Sequence, residues 1–60
     1  MNNYNIIIVY INGTIDEIIS EEITEEDVIS LANKTFNSRI GVDKVIVTDN
    51  DDKTIYTIEL

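Results

Sequence analysis

The side chains in this sequence that could do chemistry are its carboxylates. Asp and Glu number 12 against 4 Lys and Arg, and the chain has neither His nor Cys. Without His, no side chain is an ordinary proton acceptor near neutral pH, and without Cys no thiolate nucleophile is available. A hydrolase site built on two carboxylates remains formally open, but a chain of 60 residues leaves little room for a substrate cleft. We therefore expect a non-enzymatic protein with no catalytic residues and no cofactor.

A calcium loop is the other chemistry that the carboxylates suggest, at residues 49–52, which read Asp-Asn-Asp-Asp. An EF-hand loop would need a third oxygen ligand where Lys53 stands, Gly where Thr54 stands and Glu where Leu60 stands. None of these three positions carries the residue that the calcium loop requires. Asn and Asp tolerate turn geometry and hydrogen-bond their own backbone, so the segment predicts a polar hairpin turn and no metal site.

Most of the acids lie in one stretch, residues 16–27, which holds seven carboxylates and no base. If the helix extends back far enough, Glu22 and Glu26 lie one turn apart, with about 5–6 Å between their Cβ atoms, as do Glu21 and Glu25. Phosphates along a DNA strand have a loosely comparable spacing. The stretch is therefore either a solvated face with a favourable helix start, or a surface that mimics phosphates and occupies a basic groove.

Length and composition indicate a single small domain over residues 1–60, since 43% of the residues are apolar. The apolar run Ile6–Ile11 is short, and no Lys or Arg precedes it. A signal peptide needs a basic start and a longer apolar stretch, and a membrane span needs about 20 apolar residues. We expect a cytoplasmic protein that does not bind membranes. Its net charge of −8 should also repel DNA and RNA.

Local patterns predict a β-hairpin followed by a helix. Residues Tyr4–Ile11 and Thr14–Ser20 form the two strands, joined by Asn12-Gly13, a strong hairpin signal. The helix is predicted over residues 24–38, with Thr24 as the N-cap and Asp27 completing a capping box. Ile23 and Val28 are placed to form the hydrophobic staple around that cap. The positions with helical spacing are Val28, Leu31, Ala32, Thr35, Phe36 and Arg39.

A second hairpin, Lys44–Thr48 with Thr54–Glu59, completes a ββαββ order and an α+β fold class. The predicted pairs are Val47 with Tyr56, Val45 with Ile58, Ile46 with Thr57, and Thr48 with Ile55. The apolar pattern turns Val45, Val47, Tyr56 and Ile58 toward the helix. Ile46 and Ile55 then lie on the uncovered face, where Lys44 faces Glu59.

The order of elements resembles the β-grasp of the immunoglobulin-binding B domains of the protein G kind. The residues that carry this resemblance are Gly41-Val42-Asp43, Asp49 through Lys53-Thr54, Glu59, and Thr24-x-Glu26-x-Val28. It implies a four-stranded mixed sheet in the order 2-1-4-3, with strands 1 and 4 parallel in the centre and one helix on one face. The family pattern would turn Ile46, Thr48, Ile55 and Thr57 inward instead. Its aromatic contact on the third strand, a Trp, corresponds to Ile46 here.

The first strand is apolar on both of its faces from Ile6 to Ile11, whereas a strand with one wet face should alternate. Either a central strand leaves a few Ile side chains exposed, or a partner or second copy covers the open face. The candidate partner-binding residues are therefore Asp16, Glu17, Glu21, Glu22, Glu25, Glu26, Asp27, Ile46 and Ile55.

Small size, acidity and the lack of catalytic residues resemble the anti-CRISPR and anti-restriction inhibitors of bacteriophages and mobile elements, which form a functional class. This resemblance implies a stoichiometric inhibitor or adaptor whose partner is a basic, nucleic-acid-handling protein or complex. Two alternatives stay open. One is a β-grasp module that binds another protein through its sheet edge or open face. The other is a structural component that self-associates, as a homodimer, through its apolar sheet face.

Overall fold

Two β-hairpins and one helix make up the fold, in the order ββαββ, which confirms the predicted α+β class. The structure is a computed structural model that describes residues 2–22 and 24–60; of Asn2 and Glu22 it describes the backbone alone. The elements are β1 Asn2–Tyr10, β2 Ile15–Glu22, α1 Glu25–Ser38, β3 Val42–Thr48 and β4 Thr54–Glu59.

The four strands form one sheet in the order β2-β1-β3-β4, and every neighbouring pair is antiparallel. The expected order 2-1-4-3, with a parallel central pair and a mixed sheet, is wrong. β3 lies beside β1 instead, where its Val45 and Val47 pair with Ile8 and Ile6 and all four β-branched side chains are fully buried. Four of its seven residues are buried, whereas β4 has none buried and lies at the edge.

The second hairpin has the predicted register over most of its length. Val45 lies opposite Ile58, and Val47 lies opposite Tyr56. The register then shifts at a β-bulge, so that Thr48 pairs with Thr54 and not with Ile55. Ile55 is the extra residue on β4, which the simple alternation of a strand could not indicate.

The helix begins as predicted, since the Thr24 hydroxyl accepts a hydrogen bond of 3.2 Å from the backbone N–H of Asp27. Ile23, which is predicted to form the hydrophobic staple with Val28, lies outside the described residues. α1 packs mainly against β3. Within the described part of the chain, no helix is long and apolar enough to cross a membrane.

The core lies between α1 and one face of the sheet, on the parity that the apolar pattern predicted. Val45 and Val47 are fully buried, as are Val28 and Ala32 of the helix. Leu31, Phe36, Tyr56 and Ile58 are partly buried and pack against them. The complete buried cluster is Tyr4, Ile6, Ile8, Val28, Ala32, Val42, Val45 and Val47. The side of the sheet opposite α1 carries no element of the described chain.

Both hairpin turns are held by short polar side chains. The Asn12 Oδ1 atom accepts hydrogen bonds from the backbone N–H and the hydroxyl of Thr14, and Gly13 adopts a φ of 90°. In the second turn, the Asp49 Oδ1 atom accepts from the backbone N–H groups of Asp51 at 2.9 Å and Lys53 at 3.0 Å. The predicted polar turn is confirmed, and its first carboxylate is already engaged by the backbone.

Candidate functional site

Successive elements run in opposite directions, which brings three acidic segments to the same end of the molecule. Asn3 at the start of β1 pairs with Glu21, and Asn5 pairs with Thr48 at the end of β3. We name this region the acidic end and define it as Glu21, Glu22, residues 24–27 and residues 49–53. A shallow depression of about 250 Å³ joins two of the segments, and its lining is Asn3, Tyr4, Glu25, Asp49, Asn50 and Asp51.

The acidic end carries nearly all of the net charge. Its eight acids against Lys53 give −7, while the remaining four acids and three bases give −1, for the total of −8. The acids are Glu21, Glu22, Glu25, Glu26, Asp27, Asp49, Asp51 and Asp52. Among the residues with described side chains, none of these carboxylates takes part in an ion pair. The longest dimension of the molecule is 33 Å, so the charge is concentrated at one end of an elongated shape.

The helix does not extend back to Glu21 and Glu22, so the condition for a helical row of carboxylates is not met. Glu21 and Glu22 are the last residues of β2, held by backbone pairing with β1, and the helix starts only at Glu25. The Thr24 cap sets this start, because a capping residue has extended backbone dihedrals and cannot itself continue a helix. Glu21 therefore does not lie one helical turn from Glu25. The acidic surface is assembled from a strand end, a helix start and a turn.

The first-turn acids lie on an exposed helix N-terminus. Glu25, Glu26 and Asp27 are all exposed and lie beside the positive end of the helix dipole, which favours carboxylates there. That effect accounts for part of the acid content at this end. Glu21 and the turn at residues 49–52 belong to other elements, so their acids are not explained by the residue preferences of a helix start.

Asp16 lies away from the acidic end and has a structural role. Its Oδ2 atom accepts a hydrogen bond of 2.9 Å from Arg39 Nη1, which also donates to the Tyr10 hydroxyl at 2.9 Å. The bond to Tyr10, followed by the bond to Asp16, raises the pKa of Arg39 above its ordinary value, so the guanidinium stays charged. This contact ties the end of α1 to the first hairpin. Asp16 is thereby engaged in an ion pair within the chain, while its side chain remains 56% exposed.

Glu17 lies on the open face of the sheet, opposite Ile7 in the β1–β2 register. The same face carries a group of aliphatic side chains on three adjacent strands, which we name the open-face strip: Ile7, Val9, Ile15, Ile19 and Ile46. Ile15 is 67% exposed and Ile19 is 71% exposed. The predicted apolar strip is thus present at Ile46, whereas Ile55 packs against the core.

Two features of these surfaces were missed in the sequence. The contribution of the turn at residues 49–52 to the acidic end follows from the alternating directions of the elements, which the ββαββ order alone could have indicated. The contribution of Ile15 and Ile19 to the open-face strip follows from their alternation with Glu17 along β2. By contrast, the pair Arg39–Asp16 joins residues 23 apart in sequence and has no local signal.

In the part of the chain that the structure describes, no three Asp or Glu side chains are grouped so that they could hold a metal ion. A second cleft, of about 390 Å³, lies near the opposite end and is lined by Tyr10, Ile11, Asn12, Ile40 and Gly41. The acidic end and the open-face strip are therefore the two surfaces with the most distinctive chemistry.

Comparison with known proteins gives no relative from which a function could be transferred: no family model, no curated protein and no solved structure matches this chain.

Proposed function

We propose that this chain is a small acidic binding protein whose acidic end enters a cationic groove of a nucleic-acid-binding protein and competes there with DNA or RNA. The observation that supports the proposal is the concentration of −7 of the total charge of −8 at one end of the molecule. The carboxylates come from three separate segments, and those with described side chains lack ion-pair partners within the described residues.

The charge density at this end is comparable to that of a nucleic acid. Double-stranded DNA carries one charge per about 1.7 Å of its axis, so seven charges correspond to about 12 Å of duplex. The two short dimensions of the molecule are 19 Å and 15 Å, so its end presents a similar charge over a similar length. A groove whose field attracts phosphates should therefore attract this end as well.

Keeping these charges together carries a cost for so small a domain. Like charges repel one another and destabilise the compact state, and a chain of 60 residues has little stability to spare. The helix dipole offsets this repulsion most directly at residues 25–27, which form the first turn of the helix. A binding role accounts for the acids of the other two segments, because contact with a cationic partner would relieve the repulsion.

The proposed biological role is that of a non-enzymatic inhibitor from a phage or mobile element, of the anti-CRISPR or anti-restriction type, acting in the cytoplasm. Blocking a groove requires binding and one copy per groove, and it requires no catalytic residue. Direct binding to nucleic acid is disfavoured by the same charge that favours a cationic protein.

The proposal is tested by affinity capture from the source cell, followed by measurement of the affinity at several salt concentrations. We expect the captured protein to bind nucleic acid. Its affinity for this chain should fall steeply from roughly 0.05 M to 0.5 M salt, because screening weakens exposed charge pairs. An affinity that stays constant over that range would show that apolar contacts dominate the complex and that the acidic end is a solvated surface.

A further inference from the structure

We infer that the open-face strip binds an amphipathic helix of a partner protein, one whose apolar stripe is flanked by Lys or Arg. This inference goes beyond the proposed function, because the aliphatic residues of the strip lie outside the acidic end, and Glu21 is the residue where the two surfaces meet. The proposed helix would occupy the face of the sheet opposite α1.

The strip is contiguous across the middle of the sheet. Val9 pairs with Ile15 on one side, and Ile7 pairs with Ile46 on the other. Directly paired residues of neighbouring strands project to the same face, with their Cβ atoms about 4.5–5.5 Å apart. These two pairs therefore form one surface on β2, β1 and β3, with Ile15 exposed and the other three side chains half-buried. Ile19, which pairs with Asn5, extends the same face along β2. A contiguous exposed apolar surface on a soluble domain commonly marks a contact site.

The dimensions of the strip match a helix. Ile15 and Ile19 are four residues apart on β2, which spans about 13 Å along the strand. Three strands span about 10 Å across the sheet, which is close to the 10–12 Å diameter of an α-helix. Two to three turns of a helix would therefore cover the strip. On the other face, α1 already shows that this sheet packs well against a single helix.

The same dimensions argue against a second copy as the occupant. The strip projects an area on the order of 150 Å², so a broad sheet-on-sheet contact that buries about 800 Å² on each copy would extend far beyond it, whereas a single narrow helix can lie along the strip itself. Two sheets packed face to face would have to bury the polar rows around the strip as well. Those rows contain Asn5, Thr57 and the charged rim, which are poor core residues for a dimer.

Charge argues for a cationic partner. The register places three acids on the open face: Glu17, Glu21 and Glu59. Glu17 and Glu21 lie on the edge strand β2, and Glu59 lies on the other edge strand, β4. Lys44, opposite Glu59, is the base that the register places on this face. A second copy would bring the same excess of acids and a further charge of −8. A helix with Lys or Arg beside its apolar stripe would instead pair with Glu17 and Glu21.

The test uses synthetic helical peptides of about 18 residues, a length at which an isolated helix can form. One peptide has a Leu stripe flanked by Lys, a second has the same stripe flanked by Glu, and a third has the composition of the first with its order scrambled to abolish the stripe. Titration calorimetry is carried out at about 0.15 M salt, at which long-range electrostatic attraction is largely screened. It should detect binding of the first peptide and at least tenfold weaker binding of the other two.

Variants of this chain locate the binding surface. The double variant Ile15→Thr with Ile19→Thr should weaken binding of the Lys-flanked peptide at least about tenfold, because both side chains are mostly exposed and would be buried by the helix. The control is Ile40→Thr, which removes an Ile outside the strip that is even more exposed and should leave the affinity unchanged. A second control, Glu25→Gln with Glu26→Gln, tests the acidic end and should also leave the affinity for the peptide nearly unchanged.

Three results would overturn the inference. The scrambled peptide could bind as tightly as the amphipathic one, which would show attraction by charge alone. The Ile15→Thr, Ile19→Thr variant could retain full affinity while melting like the wild type. Sedimentation could show that the wild type is a dimer that Ile19→Thr dissociates, in which case the occupant is a second copy. None of these results depends on whether the acidic end competes with nucleic acid.

Discussion

Replacing Ile8 with Ala is expected to unfold the protein, or to leave it so unstable that no cooperative transition is seen at room temperature. Ile8 is fully buried in the central strand β1, between the helix and the sheet. Removing a buried Ile side chain to Ala costs about 2–5 kcal/mol. A domain of this length has a total stability of about 3–9 kcal/mol, at roughly 0.05–0.15 kcal/mol per residue. Circular dichroism during urea and thermal denaturation measures the loss.

The control for this prediction is the same substitution at Ile19, which is 71% exposed on the edge strand. Ile19→Ala should change the free energy of unfolding by about 0.5 kcal/mol or less, as is usual for exposed positions. The two variants differ only in the burial of the side chain that is lost. If Ile8→Ala melted as cooperatively and at nearly the same temperature as Ile19→Ala, β1 would not be the central buried strand.

Reversing two charges at the acidic end is expected to abolish partner binding. Glu25 and Asp51 belong to different segments but line the same depression. The variant Glu25→Lys with Asp51→Lys would place two cations against a cationic groove, where like charges cost several kcal/mol. A loss of about 3 kcal/mol corresponds to roughly a 100-fold weaker affinity. Binding of the captured partner, measured by calorimetry or surface plasmon resonance, gives the change directly.

Two controls separate the position of the charges from their number. Glu25→Gln with Asp51→Asn removes the charges but keeps the side-chain size, and should give a smaller loss of affinity than the reversal. Asp43→Lys with Glu59→Lys changes the net charge from −8 to −4, as the first reversal does, but at exposed positions away from the acidic end. Equal losses in the two reversed variants would mean that only net charge matters and that the acidic end is not a specific contact.

The elements were predictable from the sequence because their signals are local. Thr24 can cap a helix and Asp27 lies where the cap requires a donor, so the helix start follows from a few residues. Asn12-Gly13 likewise indicates a turn by itself. The sheet order is different, since local patterns are the same whether β3 or β4 lies beside β1. The order depends on which strand buries more apolar surface, and the resemblance to the β-grasp pointed to the wrong one.

The candidate site was only partly predictable for a related reason. The acids of residues 16–27 are contiguous in sequence, but the fold divides them among a hairpin, a strand end and a helix start. Asp16 is drawn to Arg39, and Glu17 points to the open face, so neither belongs to the acidic end. The turn at residues 49–52 joins that end from far along the chain. Contacts between distant segments determine the charged surface, and no spacing rule within one segment can supply them.

A displacement experiment shows whether this chain competes with nucleic acid for a cationic groove. The captured partner is first loaded with fluorescently labelled DNA or RNA, and the chain is then titrated while the anisotropy of the label is recorded. We predict complete release of the labelled strand, with a midpoint that rises in proportion to the nucleic acid concentration. A stable ternary complex, in which the label stays bound while this chain also binds, would show that the chain does not occupy the nucleic-acid groove.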